Sequence, residues 1–317
     1  MNLPEQPPVA VRPATQPLPA DPAETGKGVA AALAAYLLWG FLPILFHLLE
    51  SAGPVLIVAE RSLWSLVLVA IILAVTGGFR EAAALLRDRR RMKVIAISTT
   101  LLLGNWLLYV WAVESGNVLE ASFGYFINPL VNVAIGMVFL GERQNRLQGV
   151  AIAVASVAIA LQAVGLGSMP FIALGLAFTF GFYGFFRKTA KTGPTVGMFA
   201  ETLVAAPFAL GFVLYTLVTE GAGPHADPLL MTLLVFTGPA TAVPLLLFSY
   251  GVRRLRLTTI GMLQYLAPSI QFLLAIFIFG EHLNGLRLLS FALIWLSLAI
   301  FSWDSLHQRR RARAALA

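Results

Sequence analysis

The side chains in this sequence that could do chemistry are polar and charged residues set inside long apolar runs. Glu60 and Arg61 stand side by side, and Glu201 stands in a matching setting further along. Asn105 and Tyr109 are four residues apart, so they share one face of a helix. Tyr125, Asn128 and Asn132 follow at spacings of three and four, with Pro129 among them. Gln264, Tyr265, Pro268 and Gln271 form a third group of the same kind. Trp39 and Tyr183 each precede a glycine, Gly40 and Gly184.

Groups of these types can surround a small molecule. Amides and phenols hydrogen-bond it, aromatic rings wall it, and charges fix its orientation. A proline in a helix frees a carbonyl one turn back and allows a bend, which Pro129 and Pro268 would each supply. Arg61 could hold an anionic group, or pair with Glu60 or another acid. Adjacent residues point about 100° apart on a helix, so Glu60 and Arg61 need not pair with each other. A carboxylate in an apolar setting, Glu60 or Glu201, is a candidate for proton or ion coupling. Each feature also has a plainer reading. Amides can glue helices together, aromatics can fill gaps beside glycines, and Glu60–Arg61 can be a structural ion pair near the interface.

Other chemistries are excluded. There is no cysteine, so thiolate catalysis and cysteine-bound metals are absent. The four histidines, His47, His225, His282 and His307, show no ligand spacing. No nucleotide-binding loop, HExxH motif or Ser/His/Asp cluster appears. The expectation is therefore no enzyme, no metal and no cofactor, with any transport run by a gradient or passive.

The elements that must position these residues are membrane helices. The chain has 317 residues, 58% hydrophobic and 12% charged, with a mean hydropathy of +0.82. A soluble surface needs more charge than that. The apolar residues come in runs of about 20, the length that crosses a bilayer core of about 30 Å. Ten spans are predicted: 28–49, 54–76, 93–113, 119–140, 146–165, 169–186, 195–218, 228–250, 258–280 and 285–303. With the N-terminus inside, 20 of the 22 basic residues fall in inside segments, the positive-inside pattern. Both termini are then expected in the cytoplasm. The net charge of +7 reads as loop charge, which argues against a nucleic-acid partner. On this reading Arg187 and Lys188 anchor the inner end of span 6.

The sequence repeats itself at an offset of 139. Tyr109 meets Phe248, Phe126 meets Tyr265, and Pro129 meets Pro268. Phe139-Leu140-Gly141-Glu142 meets Ile278-Phe279-Gly280-Glu281. Glu60 and Glu201 correspond at a slightly different offset. The predicted organisation is a cytoplasmic tail (1–27), a first repeat (28–165), a second repeat (166–303) and a basic tail (304–317). Five spans per repeat is odd, so the halves must be inverted. That is expected of a carrier whose halves rock about a midplane site. A passive channel and a non-transporting assembly protein are the alternatives.

Several phrases carry a family resemblance. They are Ala35-Tyr36-Leu37-Leu38-Trp39-Gly40, the run Gly104 to Val113, the run Leu119 to Asn132, Gly141-Glu142-Arg143, and Leu263 to Pro268. From about Gly28 to Trp303 the chain resembles the RarD branch of the EamA-type drug/metabolite transporters. The resemblance implies an all-α, ten-helix carrier of the bacterial inner membrane. It implies a cavity lined by spans 1, 3, 4, 6, 8 and 9, and small metabolites, amino-acid-like compounds or drugs as substrates. The branch also carries a chloramphenicol-linked name. Substrate contacts are expected from Trp39, Asn105, Tyr109, Tyr125, Asn128, Tyr183, Gln264, Tyr265 and Gln271. One departure is Glu60, where the family pattern would have a histidine before the arginine of span 2.

Overall fold

The computed structural model describes residues 22–115, 117–166, 170–278 and 285–314, and these are helical almost throughout. The helices are α1 (Pro22–Leu48), α2 (Pro54–Thr76), α3 (Phe79–Arg87), α4 (Arg89–Glu114), α5 (Val118–Leu140), α6 (Arg146–Leu166), α7 (Phe171–Thr189), α8 (Pro194–Thr219), α9 (Pro228–Val252), α10 (Leu257–Gln264), α11 (Leu266–Phe277) and α12 (Gly285–Ala314). Prolines open α2, α8 and α9 at the first turn, where no N–H is missed. Glycines in the left-handed conformation end α2 (Gly77, φ 70°) and α5 (Gly141, φ 64°).

Nine stretches of the described residues are long and apolar enough to cross a membrane, with α10 and α11 counted as one. The tenth span is α7, whose 19 residues end in Arg187 and Lys188, which dilute its apolar run. The chain is thus an all-α membrane protein.

The packing relates the two halves. Span 5 packs on span 10 (α6 on α12), span 2 on span 7 (α2 on α8), and span 4 on span 9 (α5 on α10). Span 1 packs on span 8 (α1 on α9), as span 6 packs on span 3 (α7 on α4). Span 4 packs on span 6 (α5 on α7), as span 9 packs on span 1 (α11 on α1). Exchanging each span for the one five places along leaves this set unchanged. All of these contacts cross between halves, so the halves interdigitate. We call the end where α1 begins and α12 ends the terminal face, and the opposite end the far face.

Two departures from the sequence expectation have physical causes. The loop at 77–92 contains the short amphipathic helix α3, whose Ala82 and Leu85 are buried while its basic residues stay outside. Span 9 is broken at Tyr265 into α10 and α11. Pro268 has no N–H for the carbonyl of Gln264, and the next bonded turn starts with Ser269 N donating to Tyr265 O at 3.1 Å. Pro129 lies inside a continuous α5, so the matching prolines act differently.

Glu142 of the repeated Gly-Glu phrase has a structural task. Its carboxylate accepts from Leu257 N (2.6 Å), Thr258 N (3.0 Å) and Thr258 Oγ1 (2.7 Å) at the start of α10. It therefore caps a helix N-terminus from another element, where a negative charge is favoured. Glu142→Ala is expected to cost about 1–2 kcal/mol, read as a lower unfolding temperature in detergent. Unchanged unfolding would show the cap to be idle.

Candidate functional site

Charged clusters lie at opposite ends of the bundle. Glu60 and Arg61 sit about 10 Å along α2 from the far face, and Glu201 sits about as far along α8 from the terminal face, at 1.5 Å per residue. Glu60 and Arg61 diverge, as adjacent helical residues should. Glu60 accepts from Trp64 Nε1 at 2.8 Å and meets His225 Nε2 at 2.7 Å. His225 lies in the 3-10 turn Gly223–Ala226 between α8 and α9, so this contact ties that loop to α2. Arg61 turns into the bundle. Its guanidinium carbon lies 4.4 Å from the Trp106 ring and 5.6 Å from the Phe46 ring, and its Nε donates to Thr241 Oγ1 at 2.9 Å.

At the other end Arg187 is 1% exposed and Glu201 is 3% exposed. Arg187 Nη1 lies 3.6 Å from Glu201 Oε1. Ser98 Oγ donates to the same oxygen at 2.6 Å, and Tyr183 OH lies 3.5 Å from the other oxygen. Arg187 also donates from Nε to Ser249 Oγ (3.2 Å) and from Nη2 to Pro194 O (3.2 Å). The network thus joins α4, α7, α8 and α9. Arg187, read from the sequence as an anchor at the inner end of span 6, is thus the centre of a buried network. Its partners come from distant parts of the chain, which a count of loop charges does not reveal. Gly197 makes room for the pair, since a Cβ there would overlap the Arg187 guanidinium. Gly197→Ala should displace the guanidinium and lower stability by about 1–3 kcal/mol, measured as thermal unfolding. A fully stable variant would show that the guanidinium is free to move.

Between the clusters lies a small cavity of about 20 Å³, bordered by α2, α4, α8 and α9. Ser62, Ser65, Thr99, Glu201, Thr202 and Thr241 border it together with Leu102, Trp106, Met198 and Leu245, and the surface that faces it is almost wholly apolar. This small cavity borders spans 2, 3, 7 and 8, of which spans 3 and 8 belong to the expected lining by spans 1, 3, 4, 6, 8 and 9. Aromatic rings fill the centre. Trp39 packs on Phe180 (5.8 Å) and Phe248 (5.7 Å), and Tyr183 stacks on Phe248 (6.2 Å, 14°). Trp39 and Tyr183, from corresponding positions in the two halves, thus meet the same ring.

The other expected contacts are distributed. Tyr109 and Tyr125 come together, with ring centroids 6.0 Å apart and both phenols within electrostatic range of Arg61. Asn105 is buried and donates to Leu176 O (2.8 Å) and Thr179 Oγ1 (2.9 Å), bridging α4 to α7. Gln271 donates to Trp39 O at 3.2 Å. Asn132 donates to Gln264 Oε1 at 2.8 Å, in the buried crossing of α5 and α10. Asn128 is buried in α5 with no partner for its Oδ1 among the described residues. Tyr265 is fully buried in a cluster with Ala151, Ala155 and Ala158 of α6 and Ile294 and Phe301 of α12. Asn128, Gln264 and Tyr265 are thus absent from the cavity wall. The wall hydroxyls and Trp106 were not among the expected contacts. Hydroxyls at membrane depth are frequent enough to carry little signal, since each can bond its own helix backbone, as Ser62 does to Val58 O.

Known proteins match this chain along nearly its whole length. The profile of the EamA-like transporter family matches twice, over residues 26–163 and 168–303. The chain belongs to the EamA-like transporter family. Within this EamA family it falls in the RarD branch. It is 39% identical over 292 residues to protein RarD of Escherichia coli, covering 92% of this chain and 99% of the relative. An uncharacterized transporter of Pseudomonas aeruginosa is 42% identical over 293 residues, covering 90% of this chain and 96% of that protein. A crystal structure with 19% sequence identity superposes with a TM-score of 0.69, covering 90% of this chain and 99% of that one, and so shares the fold. This EamA-family chain is a multi-pass membrane transport protein.

Proposed function

We propose that the protein is a secondary transporter of small metabolites, amino-acid-like compounds or drugs, working by alternating access. The observation that carries this reading is a pair of interdigitated, pseudo-symmetric halves, with a buried ion pair beside a small cavity between them. In this state the Arg187–Glu201 network closes the terminal-face end. A rocking of one half against the other would separate α7 from α8, open that end and close the opposite one. Glu201 lines the cavity and belongs to the closure, so it is the candidate for proton or ion coupling. Trp39, Phe180, Tyr183 and Phe248 form the aromatic barrier beside the path. The asymmetry of basic residues supports placing both termini in the cytoplasm and the chain in the bacterial inner membrane.

Purified protein in liposomes, tested with a panel of amino acids, organic acids and drugs, is expected to give saturable flux for at least one compound. Absence of saturable flux across the panel would contradict the proposal, and non-saturating flux would favour a passive channel.

A further inference from the structure

We propose that Arg61 is the recognition group for a carboxylate on the substrate, and that the transported compounds are small organic monoanions with an apolar or aromatic body. This rests on the transport reading above and narrows its substrate class.

Arg61 is a cation about 10 Å below the far face with no acidic partner among the described residues. Its neighbour Glu60 is engaged by His225 and Trp64. The other acid in the region, Glu201, is engaged by Arg187 and Ser98. A guanidinium has five N–H donors. Thr241 takes the Nε donor, and no protein acceptor among the described residues takes the four on the two Nη atoms. An uncompensated charge at membrane depth is costly unless it faces a wet cavity or a ligand. Arg61 does keep accessible surface, and so does Tyr125, which is 37% exposed although it lies well within α5.

The shape of the opening selects the ligand. Trp106 and Phe46 lie against the guanidinium, and the Thr241 bond holds its Nε. The two Nη groups are left as an unused fork, which fits one carboxylate in bidentate fashion. Tyr109 and Tyr125 pair with each other within electrostatic range of Arg61, and their phenols can donate to a bound anion or stack on the body attached to it. A single cation suits a single negative charge. With both nearby carboxylates engaged, no free acid remains to attract an ammonium, so a positive charge on the substrate adds nothing. Trp106 and Thr241, which touch Arg61, also border the small cavity.

The test uses the full chain in detergent, with phenylacetate and its uncharged methyl ester as probes, read by quenching of tryptophan fluorescence. Phenylacetate should bind at least tenfold more tightly than the ester, the scale of a charge-assisted bond. Arg61→Gln should remove that preference, lowering phenylacetate affinity at least tenfold and leaving the ester unchanged. Arg61→Lys should retain part of the preference, which controls for loss of fold. Equal binding of the two probes by the native chain, or an unaltered preference in Arg61→Gln, would overturn the proposal. The same proteins in liposomes separate it from the transport reading. Carboxylate binding that depends on Arg61 without any saturable flux would sink transport and leave the site standing. Saturable flux of neutral compounds that is indifferent to Arg61→Gln would sink the site and leave transport standing.

Discussion

Removing either member of the Arg187–Glu201 pair is expected to destabilise the protein by about 3–5 kcal/mol, because the survivor is a buried charge without compensation. Arg187→Met and Glu201→Leu should each show a much lower unfolding temperature in detergent. The double variant should recover most of that loss, since two apolar groups of similar volume can replace a buried pair at little cost. Its transport should nevertheless fail. The residual stability would hold α7 against α8 with no charge left to hydrate on opening, and the cavity would lose its carboxylate. Recovery of both stability and flux in the double variant would show that the pair is only structural. Additive losses in the two singles and the double would show that the two residues do not interact.

The second large effect is expected at Gly261. A Cβ there would overlap the carbonyl oxygen of Pro129 and lie 3.2 Å from the Asn132 Cβ. The obstacle is backbone, so no side-chain rotation relieves it, and α10 must move away from α5. Gly261→Val should therefore cost about 3 kcal/mol, at the upper end for overpacking a close contact. It should also break the Asn132–Gln264 bond, which sits at the same crossing. Asn132→Leu separates the two causes, since it removes the bond without the clash. It is expected to cost less than half as much in thermal unfolding. Equal losses in the two variants would place the energy in the hydrogen bond rather than in the close approach.

The legibility of the sequence divided along physical lines. The spans are readable because bilayer thickness fixes helix length, and most expected spans lie within a few residues of the observed helices, while α1 begins six residues before its expected span, α12 runs eleven residues past its own, and span 9 is broken. The opposed placement of Glu60 and Glu201 was also readable, because carboxylates inside apolar runs are rare. Partners were harder. Arg187 looked like one of many basic residues at a span end, yet it folds inward because Gly197 leaves room and Glu201 lies across α8. His225 sat in a polar loop with nothing to link it to Glu60, 165 residues away. Helix faces were illegible where helices are apolar on all sides, since no polar stripe then marks the outside. Tyr265 is the example. It shares a turn with Gln264, but the break at that residue turns it toward α6 and α12.

Labelling of a single introduced cysteine tests the central claim most directly. The chain has no cysteine of its own, so Thr99→Cys in the cavity wall gives a clean signal. Thr99 Oγ1 has no hydrogen-bond partner among the described residues, so little is lost on exchange. The measurement is the rate of labelling by a membrane-impermeant maleimide from each side of sealed vesicles, with and without Glu201→Gln to loosen the terminal-face closure. Alternating access predicts opposite changes, with labelling from the terminal face rising and labelling from the far face falling. A rise from both faces together, or no change from either, would contradict it.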